Sequence, residues 1–160
     1  MTATRSRCHV DAPRSQVYAA ILDRSAVTEW QVPDGMTCQV HEFEAHEGGL
    51  FRISLTYDDG DRPGKTSGRT DTYHGHFVEL VPDERIIEVL EFETTDPAMR
   101  GEMTIVIALS DAGGGTDLVA VHGGLPSGVS KADNELGWQM SLAKLKALVE
   151  ERARKPARAG

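Results

Sequence analysis

The chain has 160 residues, 39% of them hydrophobic, with 17 Lys and Arg against 25 Asp and Glu for a formal net charge of −8. That size suits one domain with an ordinary core, and the acidic balance excludes a general nucleic-acid binder, which needs clustered cations at phosphates. No apolar run approaches the ~20 residues of a membrane span, and Met1 to Arg5 lacks the apolar segment of a secretory signal, so a cytoplasmic protein without membrane insertion is expected. Two cysteines, Cys8 and Cys38, are too few for a disulfide scaffold and read as reduced, half-buried thiols.

Arg5 to Val10 reads as a short strand. Asp11-Ala-Pro13 then resembles a helix start, with Asp11 as cap and Pro13 in the first turn. Val17, Tyr18, Ile21 and Leu22 recur at helical spacing, and Ser25 to Trp30 reads as a second short helix halted by Pro33-Asp-Gly35. The period then changes. Thr37 to Glu44 and Leu50 to Tyr57 flank Glu47-Gly48-Gly49 and read as a hairpin. Asp58 to Arg69 is a polar loop rich in Gly and Asp. Further strands are expected at Thr70 to Leu80, Arg85 to Glu93, Glu102 to Leu109 and Thr116 to Gly123, the last two joined by a glycine turn. From about Asn134 to Arg152, Trp138, Leu142, Leu145 and Val149 mark one long helix with an apolar stripe, capped by Ser130 with Asp133 three residues on. Residues 1–152 thus form a single domain, and 153–160 a basic, disordered tail.

Several short motifs fail on inspection. His74 and His76 share a strand face at chelating spacing, but no third ligand is near, so no metal site is expected. His41 and His46 sit in an acidic hairpin and form no better candidate. Gly64-Lys-Thr66 imitates a phosphate-binding loop, yet Gly60 is one residue too close and no helix follows. Gly113 to Gly115 is a turn with positive φ, not a phosphate cradle. Ser127 lacks a nucleophile elbow and an activating base. No cofactor is called for.

The order of elements, a strand, two helices, six antiparallel strands and a long helix, gives an α+β domain in which only the last helix can cover the sheet. Within it, Asp11-Ala-Pro13 to Val17 with Trp30, Gly48-Gly-Leu-Phe-Arg52, Gly75 to Arg85, Gly115-Thr116 through Leu125-Pro126, and Gly137-Trp138 resemble, in order and spacing, the START-like (SRPBCC) superfamily. The combination is similar to the branch named after the activator of heat-shock protein 90 ATPase. The resemblance runs from about residue 5 to 152. It implies a helix-grip fold: a curved seven-stranded antiparallel sheet wrapped around the C-terminal helix, with an apolar cavity between them. It further implies binding of a small hydrophobic or aromatic molecule, as in related lipid-binding cavities, and through the family name a link to the stress response.

The resemblance also implies an inward face. Phe51, Ile53, Leu55, Tyr73 and Phe77 would point to the cavity, followed by Glu88, Leu90 and Phe92. Ala120 and His122 would join them from the last strand, and Trp138 and Leu142 from the helix, with Trp30 at the wall. His74 and His76 would point outward. The family commonly places bulky apolar residues where this chain has Glu88 and Ala120. Either the cavity is larger and partly polar, or the strand slips by one residue, turning Glu88 out and Ile87 and Val89 in. Both registers are open on the amino-acid pattern alone.

Three functions follow. The leading one is non-enzymatic binding, with Glu88 and His122 orienting a polar group of the ligand. The second is a cyclase- or hydrolase-like enzyme using Glu88 and His122 as an acid/base pair. The third is a co-chaperone-like partner of a heat-shock ATPase, resting on the family name. A homodimer through the edge strand bearing Cys8 is a further expectation.

Overall fold

The computed structural model describes residues 3–58 and 70–155. The seven strands are β1 (Thr4–Val10), β2 (Met36–Phe43), β3 (Leu50–Tyr57), β4 (Thr70–Val81), β5 (Arg85–Phe92), β6 (Met103–Ala112) and β7 (Gly115–Gly123). Helices α1 (Arg14–Ile21) and α2 (Arg24–Trp30) follow β1, a 3₁₀ turn occupies Pro97–Met99, and α3 (Lys131–Arg154) closes the chain. All strand pairs are antiparallel, in the order β1-β7-β6-β5-β4-β3-β2. This is the expected helix-grip fold. Among the described residues no helix is long and apolar enough to cross a membrane.

Local chemistry explains most of the boundaries. Gly113 and Gly114 both have positive φ between the paired Ala112 and Gly115, which makes the two-residue turn that suits the twist of a hairpin. Ser130 caps α3 by accepting from the Asp133 N–H at 3.2 Å, as expected, although the helix begins at Lys131 and runs two residues further than expected, to Arg154. Asp11 does not cap α1. Pro13 holds the N-cap position without a side-chain bond, and Asp11 turns instead to His9 and, through its N–H, to Glu150. Residues 59–69, with Gly64-Lys-Thr66, and residues 156–160 lie outside the described residues.

Sheet curvature is set by irregularities in two strands. β2 is bulged between Val40 and Glu42, and β4 between Phe77 and Glu79. At Gly75 a Cβ would sit 2.0 Å from the Val89 carbonyl oxygen and 2.8 Å from the Phe51 ring, so only glycine lets the strands close there. On the concave side, α3 runs alongside β1, with the Cys8 thiol 3.8 Å from the Leu142 carbonyl. Lys144 fastens it to the segment between α2 and β2 by donating to the Val32 carbonyl at 2.6 Å and pairing with Asp34 at 3.0 Å. Leu142, Leu145 and Val149 are buried along its inner face.

Candidate functional site

Strand alternation and pairing together define the inner face. Phe51, Ile53, Tyr73, Phe77, Ile86, Leu90, Ile105, Ile107, Leu109, Leu118 and Ala120 are all buried, and their odd or even parity is constant along each strand. Leu55 and Phe92 share this face but are only partly buried, as is Trp138 on α3. Trp30 is buried to 2% exposure, and its indole N–H has no acceptor among the described residues.

The register of β5 is settled by its neighbours. Glu88 pairs with Phe77 on one side and Ile105 on the other, both inward. Ile87 and Val89, opposite Thr104, Val106 and His76, turn to the outer face. No slip occurs, and a carboxylate sits among aromatic and aliphatic side chains. Glu88 is only 8% exposed, and among the described residues it has no hydrogen-bond or ion-pair partner. Burial pushes its pKa from 4.5 up to about 7, because the charged form loses its hydration without gaining a partner.

A polar group with unused capacity stands near it. Tyr73 is buried, accepts from Gln31 Nε2 at 3.0 Å, and keeps its own phenol proton to donate. Burial raises the phenol well above its usual pKa, and the proximity of Cys38 and Glu88 raises it further. Cys38 lies opposite Leu55 on β2, half-buried, its thiol pushed up to about 11 by burial. Asp71, opposite Leu55 on β4, is buried on the same face.

His122 has the contrary environment. Its Nδ1 accepts from the Trp138 indole N–H at 3.0 Å, with the Asn134 amide nitrogen at 3.3 Å. Asn134 in turn accepts from the Thr4 hydroxyl through its carbonyl oxygen. An indole nitrogen can only donate, so Nδ1 carries the lone pair and the ring proton is on Nε2, 3.2 Å from the Met103 sulfur. Burial pulls the pKa from 6.5 down to about 4, leaving a neutral imidazole with both nitrogens engaged.

Glu88 and His122 therefore share the inner face but do not meet. They flank Ile105 in one cross-strand row, two strand spacings or roughly 10 Å apart. A direct proton relay between them is ruled out, because it needs hydrogen-bond reach and the lone pair of His122 is already engaged by Trp138. Sequence reasoning did not single out Gln31, Asp71, Asn134 or Met103. A polar residue at an inward parity was the available signal for Asp71. The others depend on contacts between distant segments.

Four further histidines lie away from this inner face. His74 bonds Glu93 at 3.0 Å and Glu91 at 3.2 Å, and Arg52 forks onto Glu93 at 2.7 and 2.9 Å, which holds the Glu93 carboxyl down to about 2. His76 is exposed beside a shallow groove between Leu50, Val89 and Glu102. His41 bonds the Ser54 hydroxyl, and His46 the Glu47 carbonyl.

Comparison with known proteins agrees with this architecture. Residues 11–150 match the family described as Activator of Hsp90 ATPase homolog 1-like protein. The chain belongs to that family. The helix-grip fold is consistent with the START-like resemblance. A Chromobacterium violaceum protein of known crystal structure is 34% identical, with a TM-score of 0.83 over 92% of this chain and 96% of that one. A Rhodobacter sphaeroides protein shares the fold at 21% identity and a TM-score of 0.77, covering 94% and 93% of the two chains. An AHSA1-like protein from Aeromonas hydrophila does so at 15% identity and 0.72, covering 99% of each. No curated protein is significantly similar to the chain.

Proposed function

We propose that the protein binds a small apolar or aromatic molecule between the concave face and α3, with Glu88 as the polar anchor. The observation that carries this reading is a carboxyl more than nine-tenths buried with no partner among the described residues. Such a group costs stability in an empty fold, and a ligand bringing its own polar atom would offset that cost. The partly buried rings of Phe92 and Trp138 supply apolar surface that a guest would cover. His122 acts in this reading by holding the Trp138 indole in place. It does not contact the polar end of the ligand. The free thiols of Cys8 and Cys38 support a cytoplasmic location. The co-chaperone reading draws on the family name alone, and the homodimer reading on the edge position of β1, so neither is advanced.

Intact-mass measurement of freshly purified protein, sprayed native and then denatured, tests the reading. An extra mass that disappears on denaturation is expected, or in its place saturable binding of the neutral dye N-phenyl-1-naphthylamine. No adduct together with no dye binding would overturn it.

A further inference from the structure

We infer that the molecule held between the sheet and α3 presents a protonated or strongly donating nitrogen, an amine or amidine on an apolar or aromatic body, to the carboxyl of Glu88. This rests on the ligand-binding reading above and adds the chemical class of the ligand. Its ground is the polar inventory of the interior. The buried carboxyl and basic side chains among the described residues are Asp71, Glu88 and His122; no Lys or Arg is among them. A ligand carboxylate or phosphate would thus meet no buried cation and would face the Glu88 carboxyl in an apolar setting. Like charges brought together out of water are strongly disfavoured.

His122 does not change this balance. Its neutral ring directs the Nε2 proton to the Met103 sulfur and its lone pair to Trp138, so no imidazolium is on offer to an anion. The phenol of Tyr73 adds one neutral donor, which suits a hydroxyl or carbonyl on the same guest. The aromatic rings favour a cation as well. Phe77 stands directly opposite Glu88 in the sheet and packs against Phe51 and Phe43, and ring faces attract ammonium and guanidinium groups. A cation at this point would find one full negative charge and one aromatic wall.

A proton is released when such a ligand binds near neutral pH. The amine arrives protonated, Glu88 is partly protonated, and forming the ion pair sends the Glu88 proton to solvent. Affinity must then rise with pH until the free carboxyl is already ionised. The other titratable groups on this interior are Asp71 and Tyr73 on β4, Cys38 on β2, Cys8 on β1 and His122 on β7, while α2 and α3 contribute no buried charged side chain among the described residues.

Calorimetric titration with three chain-matched probes, octylamine, octanol and octanoic acid, decides the matter. Octylamine is expected to bind the intact protein at pH 8 about ten- to a hundredfold more tightly than octanoic acid, the value of a charge-assisted hydrogen bond. Its affinity should increase from pH 6 to pH 8. In Glu88→Gln the preference for octylamine over octanoic acid should vanish. Octanoic acid binding as tightly as octylamine, or a preference that survives Glu88→Gln, overturns the nitrogen inference and leaves the cavity reading standing. Failure of all three probes to bind fells both.

Discussion

Glu88 and His122 stand in the same row of the sheet, each 8% exposed, one on either side of Ile105. At the His122 end, Thr4, Asn134, Trp138 and Met103 converge from β1, α3 and β6 until the imidazole has partners for both nitrogens. At the Glu88 end the neighbours are Phe77, Ile105 and Leu90, and no donor arrives from the described residues. Burial thus disfavours the charged form of both groups, raising the carboxyl to about 7 and lowering the imidazole to about 4. The difference separates structure from site. A buried polar group whose hydrogen bonds close within the protein holds elements together, and one left open is a standing cost that function alone justifies.

The strongest way to break the comparison is at the closed end. His122→Ala would leave the Trp138 and Asn134 donors without an acceptor and open a hole beside Met103. It should destabilise the protein by about 3 kcal/mol, from orphaned donors plus lost packing. Urea unfolding would measure this; a midpoint unchanged from wild type would show that the cluster carries no weight.

At the open end the opposite sign is expected. Glu88→Gln keeps the shape and removes the charge, so at pH 8 the unliganded protein should gain up to about 3 kcal/mol, the free energy of a shift from 4.5 to about 7. Thermal melts at pH 8 should rise by several degrees. A lower melting temperature would mean that the carboxylate is stabilising and finds a partner within the fold.

Titration of stability sharpens the contrast further. Between pH 4.5 and 7 the folded Glu88 keeps a proton that the unfolded one has lost, so its contribution falls as pH rises and is fully lost above 7. Folded His122 stays neutral down to about pH 4 while the unfolded ring protonates below about 6.5, so its contribution falls as pH drops through that window. The two slopes oppose each other from 4.5 to 6.5. The gap between Glu88→Gln and wild type should therefore be near zero at pH 4, widen between about pH 4.5 and 7 and level off above that; a constant gap would contradict the assignment.

Trp30 gives the smallest effect. Its indole N–H is buried without an acceptor, so Trp30→Phe removes an unsatisfied donor while leaving a modest void. These terms offset, and the change should stay within about 1 kcal/mol. A loss of several kcal/mol in a urea melt would show that the N–H is satisfied in solution, for example by a bound guest.

The amino-acid pattern alone determined the element order, the pairing of the hairpins and the shared face of Phe51, Ile53 and Leu55 on β3, while which face turns inward came from the family resemblance. The first three follow from side-chain periods of 2.0 and 3.6 and from turn chemistry, both local properties of the chain. The pattern left β5 undecided, because Ile86 to Leu90 is apolar at both parities except for Glu88 itself. Only the ladder decided it, by setting Glu88 between Phe77 and Ile105. The same limit applies to whether Glu88 and His122 touch: a shared face can be counted along a strand, but a hydrogen bond depends on which distant segments arrive. Asn134 and Trp138 reach His122 because Ser130 starts α3 where it does and Lys144 holds the helix to Val32 and Asp34. Which buried polar group is satisfied and which stays open is a property of contacts across the whole fold, and these exist only once the sheet has closed on its helix.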